Sequence, residues 1–271
     1  MRLKNKLNQN KFKFVLIILL ISLFVSFFNG IHKNRTLAKM NEDYKLSDTY
    51  QQESLIERTR FVTKRDGEVT IVVLGSSVTF GKGATEAQPV WGNLLEADLN
   101  GIDGIKAEVI NHGYSGYSTA DLISKHKIEA AIKDNPDIII FELCLINNNR
   151  YPQNDMEQTK ADIQWIMARF SEELPDTLVI LQTANPTLYN DVFLKEGKVT
   201  YNQYNNEIAA FVKAQHWPFI DTYHLMLSKM KEQQLPLDYF LADDVHPNGD
   251  GYHMWFELLK ERLEVPIKTL H

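Results

Sequence analysis

The chain has 271 residues, of which 44% are hydrophobic and 24% charged, so it is a globular protein of one large or two small domains. Its single cysteine excludes an internal disulfide framework, and its net charge of −6 argues against general nucleic-acid binding. The charge is unevenly distributed, because residues 1–40 hold eight Lys or Arg and no acidic residue, whereas the rest holds 21 basic and 35 acidic residues. This division indicates different surroundings for the N-terminal segment and the body.

An apolar segment follows the basic N-terminus. The run Phe14–Phe28 has no charged residue, and with the next three residues it is long enough for a tilted membrane span. Because five basic residues precede it, the N-terminus is expected in the cytoplasm and the body outside the cell. The sequence therefore predicts a cytoplasmic tail over 1–13 and a transmembrane signal anchor over 14–31, giving a single-pass protein of the cell membrane. A cleaved signal peptide is the alternative.

The remaining chain divides into a polar part and a part with alternating patterns. Residues 32–67 are polar and are predicted to form a linker with some helix around 51–60. Beyond them, runs rich in Val, Ile and Leu predict strands at 69–74, 106–110, 137–143, 177–181 and 218–220. Amphipathic stretches predict helices at 91–99, 120–133, 155–173, 201–215, 225–233 and 251–263.

Buried strands separated by helices are typical of a parallel sheet that is covered on both faces. We therefore predict a three-layer α/β/α sandwich over residues 68–271, with a mostly parallel, flavodoxin-like sheet. In such a sheet, ligands bind at the carboxyl ends of the strands. The residues that follow each strand are thus the candidates for a functional site.

The first strand is followed by a serine between two glycines, in the segment Gly75–Gly81. A serine at a strand-to-helix turn can expose its hydroxyl for nucleophilic attack, or it can simply cap the helix. A phosphate-binding loop is not matched, because Gly83 stands where that motif needs Ser or Thr after its lysine.

The second strand is followed by Ser115 and Gly116. Ser115 resembles the serine of a G-x-S-x-G nucleophile elbow, but Gly116 comes one place too early for that motif. The third strand is followed by three asparagines, 147–149, which form a polar loop or supply an amide donor to a developing oxyanion.

An Asp-x-x-His motif, Asp243 to His246, precedes the last helix. On a loop, this spacing can place the carboxylate beside the imidazole and orient it. A metal site is disfavoured, because the sequence has no H-x₃-H or H-E-x-x-H motif that would supply further ligands.

The order Ser, Gly, Asn, Asp-x-x-His resembles the SGNH family of GDSL esterases and lipases, in particular exported, membrane-anchored members from Gram-positive bacteria. The resemblance implies that Ser77 is the nucleophile, that His246 is the general base and that Asp243 orients the imidazole. It also implies that the oxyanion is bound by the N–H groups of Ser77 and Gly116 and by the side chain of Asn147. It implies no metal and no organic cofactor.

The sequence departs from the family pattern at two places. Ser76 replaces the usual Asp of the first block, and Asn148 replaces the Asp of the third block, which also lacks its glycine. Asn148 therefore stays open as the alternative oxyanion donor.

The resemblance and the apolar segment together predict an exported serine esterase. Its expected substrate is an O-acetyl or other short acyl ester on a cell-envelope or secreted polysaccharide. The alternatives are an O-acyltransferase that uses the same triad, a lipase or lysophospholipase, and a degenerate, non-catalytic binding module in envelope assembly. No nucleic-acid partner is expected, and the oligomeric state is left open. Some aromatic residues are candidates for sugar platforms or for packing: Trp91, Tyr114, Tyr117, Tyr151 and Tyr189.

Overall fold

The structure is a computed structural model that describes residues 2–47, 50, 52–150, 155–188, 195 and 197–270, with side chains from Ile18 onward. The chain divides into two compact units, Met1–Gln51 and Gln52–His271. All the described strands belong to the second unit.

The first unit contains one long helix, α1 (Arg2–Lys45), which includes the apolar segment. Large apolar side chains between Ile18 and Phe28 are exposed. None of the helices in the described part of the chain is long and apolar enough to cross a membrane. A spanning helix needs about 20 apolar residues, and the described side chains from Ile18 to Ile31 are fewer than that. The transmembrane anchor predicted over 14–31 is therefore not confirmed, and the side chains of residues 14–17 lie outside the described ones.

The second unit alternates strands and helices along the chain. Its strands are β1 (Val69–Gly75), β2 (Ala107–Gly113), β3 (Ile138–Glu142), β4 (Leu178–Gln182) and β5 (Phe219–Ile220). Its α-helices are α2 (Leu55–Asp66), α3 (Ser77–Phe80), α4 (Trp91–Asn100), α5 (Thr119–Ser124), α6 (Lys127–Lys133), α7 (Leu145–Asn149), α8 (Met156–Glu173), α9 (Tyr201–Ala214), α10 (Thr222–Gln233) and α11 (Gly249–Lys260).

The strands form one parallel sheet in the order β2-β1-β3-β4-β5. This is the flavodoxin-like order of a doubly wound sheet, so the predicted α/β class with a parallel sheet is confirmed. Every side chain of β3 is buried, which requires cover on both faces. Helix α11 contacts α4 and α10, while α8 contacts α5, α6 and α9, and α9 also contacts α7. Because the strand order reverses between β1 and β3, their carboxyl ends flank the crevice where such sheets bind ligands.

Helix α2 belongs to the second unit, although the sequence placed residues 32–67 in a linker. The side chain of Ser54 caps the helix by accepting a hydrogen bond from the N–H of Glu57 at 3.2 Å. Leu55 and Ile56 are buried on its inner side, and the Ile56 N–H donates to the carbonyl of Leu263 at 3.0 Å. The compact unit thus begins at Gln52 instead of the predicted residue 68.

The single helix predicted over 120–133 is two helices, α5 and α6. They separate at His126, whose φ of 54° is left-handed. Leu122 and Ile128 are both fully buried, yet six positions along one helix would turn them about 120° apart. The break lets both side chains enter the core.

Candidate active site

Ser77 lies at the first turn of α3, directly after the carboxyl end of β1. The strand ends at Gly75 and Ser76 is extended, so the chain turns sharply into the helix at Ser77. Ser77 is only 4% exposed. Because the first N–H groups of a helix have no partner within it, the N–H of Ser77 has no acceptor inside α3.

The structure brings Ser77, His246 and Asp243 together, although 169 positions separate the serine from the histidine. The Oγ of Ser77 lies 3.0 Å from Nε2 of His246. On the other side of the ring, Nδ1 of His246 lies 2.9 and 2.8 Å from the two carboxylate oxygens of Asp243. A Ser-His-Asp triad requires a hydrogen-bonded chain of this kind.

The carboxylate of Asp243 is held in place by the loop that carries it. Its Oδ1 accepts the N–H groups of Val245 and His246, both at 2.8 Å. Burial raises the pKa of Asp243, but hydrogen bonds from the N–H and imidazole of His246 and the N–H of Val245 outweigh it and lower the pKa below its usual value. An ionised Asp243 fixes Nδ1 of the imidazole as the donor and leaves Nε2 free to accept the serine proton.

Gly116 lies at the exposed tip of the turn after β2. The N–H of Tyr117 donates to the carbonyl of Tyr114 at 3.2 Å, and Gly116 has a φ of 80°. A positive φ at the third position is typical of a type II turn and favours glycine. The turn is joined to the nucleophile strand, because the N–H of Tyr114 donates to the carbonyl of Gly75 at 2.9 Å.

The two candidate asparagines differ in their hydrogen bonds. The side chain of Asn148 is fully buried, accepts the N–H of Thr119 at 2.9 Å and donates to the hydroxyls of Thr119 and Thr159 at 3.0 and 3.3 Å. The Nδ2 of Asn147 is buried and has no hydrogen-bond partner among the described residues. An unpartnered donor at the carboxyl end of β3 is available to a ligand, whereas the amide of Asn148 is already used.

Glu142 is a site residue that the sequence analysis missed. It ends β3, is fully buried and accepts the N–H of Ser76 through Oε2 at 2.7 Å. A carboxylate from β3 therefore supports the nucleophile turn, in which Ser76 replaces the family's acid. The signal in the sequence was a lone acidic residue inside the apolar run 137–143.

Burial raises the pKa of Glu142, and the N–H groups of Ser76 and Cys144 oppose that rise. Both carboxylate oxygens accept hydrogen bonds from N–H groups, an arrangement that fits the ionised form.

The other candidates from the sequence are not part of this hydrogen-bonded chain. His246 pairs with Ser77 and not with Ser115, which lies exposed on the turn of Gly116. Within the described ranges, no cluster of three or more His, Cys, Asp or Glu side chains could hold a metal ion.

The candidate sugar platforms that are described pack against protein groups. Trp91 is fully buried and stacks on Trp255 with ring centroids 5.6 Å apart. Tyr114 and Tyr117 stack on each other at 5.4 Å, and each has a lysine ammonium within 5 Å of its ring centroid. These contacts favour the packing alternative, and the remaining two candidates, Tyr151 and Tyr189, lie outside the described residues.

The comparisons with known proteins concern the same part of the chain. The family model described as GDSL-like Lipase/Acylhydrolase family matches residues 73–254, a range that includes Ser77, Asp243 and His246. Comparison with curated proteins gives no match.

Several solved structures share the fold. The acetylxylan esterase Axe2 from Geobacillus stearothermophilus is 16% identical with a TM-score of 0.58, covering 72% of this chain and 94% of that one. The acetyl xylan esterase AlAXEase is 18% identical with a TM-score of 0.56, covering 71% and 98%. A lipolytic G-D-S-L protein from Veillonella parvula is 19% identical with a TM-score of 0.54, covering 71% and 96%. At these identities the likeness shows the fold.

Proposed function

Because the chain belongs to the GDSL-like lipase/acylhydrolase family and is an ester-hydrolysing enzyme, we propose that it works as a serine esterase through Ser77, His246 and Asp243. The observation that carries the proposal is the unbroken hydrogen-bonded chain from the Ser77 hydroxyl through the imidazole to the carboxylate.

The triad performs two proton transfers in each half of the reaction. As the Oγ of Ser77 attacks the ester carbonyl, Nε2 of His246 takes the hydroxyl proton as general base. The ionised carboxylate of Asp243 stabilises the imidazolium that forms. His246 then gives the proton to the leaving alcohol, which leaves an acyl-serine, and the same steps with water release the carboxylic acid.

Three donors bind the oxyanion of the tetrahedral intermediate in this proposal. They are the N–H of Ser77, the N–H of Gly116 and the Nδ2 of Asn147. The buried, unpartnered amide of Asn147 supports its assignment over Asn148. Each such donor contributes roughly 3–4 kcal/mol to transition-state binding when it is well placed.

The proposed substrate is an O-acetyl or other short acyl ester on a cell-envelope or secreted polysaccharide. Two of the structures that share the fold are acetylxylan esterases, which supports a carbohydrate ester as the substrate class. The test is to measure hydrolysis of p-nitrophenyl esters from acetyl to long acyl chains, and acetate release from acetylated polysaccharides. Highest kcat/KM with acetyl esters supports the proposal, whereas highest kcat/KM with long acyl chains favours a lipase.

Two further alternatives are outcomes of the same assays. Acyl transfer to an added sugar acceptor that exceeds hydrolysis would make the protein an O-acyltransferase. Polysaccharide binding without turnover, unchanged in Ser77→Ala, would make it a binding module. The intact hydrogen bond between Ser77 and His246 argues for a catalytic protein.

We further propose that the unit Gln52–His271 works outside the cytoplasmic membrane. The support is the basic N-terminus, the apolar run that follows it and the acidic body. Protease treatment of intact cells, followed by detection of this unit, tests the location. Digestion in intact cells supports an external unit, and protection until lysis contradicts it.

A further inference from the structure

The buried carboxylate of Glu142 lies between two turns that the proposed reaction needs. One is the nucleophile turn, Gly75–Ser77, and the other is the turn from β3 into α7, which carries Asn147. Glu142 directly precedes the second turn in the sequence, but 66 positions separate it from Ser76 in the first turn. The paired residues of β1 and β3 end at Leu74 and Phe141, so a side-chain contact beyond that pair can fix one turn relative to the other.

Glu142 contacts each turn through a different oxygen. Its Oε2 accepts the N–H of Ser76 at 2.7 Å and the hydroxyl of Thr79 at 3.3 Å. Its Oε1 accepts the N–H of Cys144 at 2.7 Å. Hydrogen bonds from N–H groups to a carboxylate are stronger than those between neutral groups, and here none of them is exposed to water.

The backbone on both turns leaves room for the carboxylate of Glu142. A Cβ at Gly75 would lie 2.6 Å from Oε2 of Glu142 and 2.3 Å from the hydroxyl of Thr79. On the other turn, Cys144 has a φ of 57°, a left-handed conformation that is unfavourable for a non-glycine residue. The hydrogen bond from the Cys144 N–H to Glu142 holds that conformation.

We propose that Glu142 is a positioning residue that sets the separation between the nucleophile turn and the turn of Asn147. The inference rests on the proposed function, because it assigns Glu142 to the geometry of the same reaction. Glu142 touches neither the triad side chains nor the amide of Asn147 in these hydrogen bonds, so it acts through the two backbone turns. Its loss is expected to impair attack and oxyanion binding together.

The main test variant is Glu142→Gln, studied in the full chain. The amide keeps the size of the side chain, but its oxygen can accept only one of the two N–H groups, and its NH₂ group faces the other. We expect kcat for p-nitrophenyl acetate to fall about 10- to 100-fold, since displacements near 1 Å cost about that much. KM should stay within about threefold, because ground-state binding is not the main interaction lost.

The matched control is Asp137→Asn at the opposite end of the same strand. Asp137 also accepts a backbone N–H, that of Thr70 at 3.0 Å, and is mostly buried. This variant is expected to lose stability without losing kcat. A second variant, Glu142→Asp, keeps the charge but is too short to hold both turns, and its kcat is expected to lie between those of wild type and Glu142→Gln.

Hydrogen–deuterium exchange provides a readout that does not need activity. In Glu142→Gln, amide exchange in segments 75–81 and 143–149 should be faster by about tenfold or more beyond any change in the rest of the unit, whereas Asp137→Asn should show no such excess in these segments. If the wild type hydrolyses no ester, the proposed function fails, while the exchange data still decide whether Glu142 ties the turns.

Three results would overturn the inference. The first is a folded Glu142→Gln variant with wild-type kcat and wild-type exchange in both segments. The second is an equal loss of kcat in Asp137→Asn. The third is loss of folding in both Glu142 variants while Asp137→Asn folds, which would make Glu142 a residue of general stability.

Discussion

Substitution of the adjacent Asn147 and Asn148 should separate catalysis from stability. Asn147→Ala removes an amide whose Nδ2 has no partner in the part of the chain that the structure describes, so the free energy of unfolding should stay near the wild-type value. If that amide binds the oxyanion, kcat should fall by about 10²–10³-fold, a loss of roughly 2.7–4 kcal/mol in transition-state binding.

Asn148→Ala is expected to act on the free energy of unfolding. It removes the acceptor of the Thr119 N–H and the donor to the hydroxyls of Thr119 and Thr159, all in a fully buried place. One buried group left unpaired costs about 1–3 kcal/mol. For a unit of this size, Tm falls by about 2–4 °C for each kcal/mol.

Both variants can be compared with wild type by initial rates on p-nitrophenyl acetate and by thermal melting. We expect Asn147→Ala to have a lower kcat and an unchanged Tm. We expect the main effect of Asn148→Ala to be a lower Tm. The reasoning is refuted if Asn148→Ala loses kcat by about 10²-fold or more at an unchanged Tm while Asn147→Ala keeps its kcat.

Three more results are expected. Asp243→Asn should lower kcat by at least about 10²-fold in the same assay. The loss should be smaller than the 10⁴-fold loss for a buried triad aspartate, because the Asp243 side chain is 48% exposed. An unchanged kcat would contradict the role of Asp243. The pKa of Asp243 is lowered in the folded protein, so its ionised form stabilises the fold at pH values above the unfolded-state pKa of about 3.9. The higher Tm of wild type relative to Asp243→Asn should therefore disappear as the pH falls through the folded-state pKa. A higher Tm that persists in melts at about pH 2 would oppose this. Gly113→Ala should lower Tm more than Gly116→Ala. A Cβ at Gly113 would lie 2.0 Å from the backbone nitrogen of Phe80, whereas a Cβ at Gly116 meets no atom within 4 Å. Equal Tm values would contradict the close approach of Gly113 to Phe80.

The sheet and the contacts among Ser77, His246 and Asp243 could be predicted because their signals are local. Each strand is a short apolar run, and parallel strands place their carboxyl ends on one edge, so the residues after β1 and β3 had to lie close together. The Asp243–His246 spacing likewise predicts a carboxylate beside an imidazole, and the structure has that contact.

Other features depend on contacts that the sequence does not show. Asn147 and Asn148 have the same side chain, and only the hydrogen bonds of Asn148 to Thr119 and Thr159 distinguish them. Glu142 lay inside an apolar run, where its role depends on a turn more than 60 positions away. Helix α2 is polar overall, and the side chains it buries against the core were too few to predict its place in the second unit.

Hydrolysis of p-nitrophenyl acetate by the full-length wild type and Ser77→Ala, with matching circular dichroism spectra, tests the central claim most directly. The account predicts hydrolysis by the wild type and a rate at least about 10⁴-fold lower in Ser77→Ala, because Ser77 lies 3.0 Å from the base that activates it. A Ser77→Ala rate close to that of the wild type would contradict the assignment of Ser77 as the nucleophile.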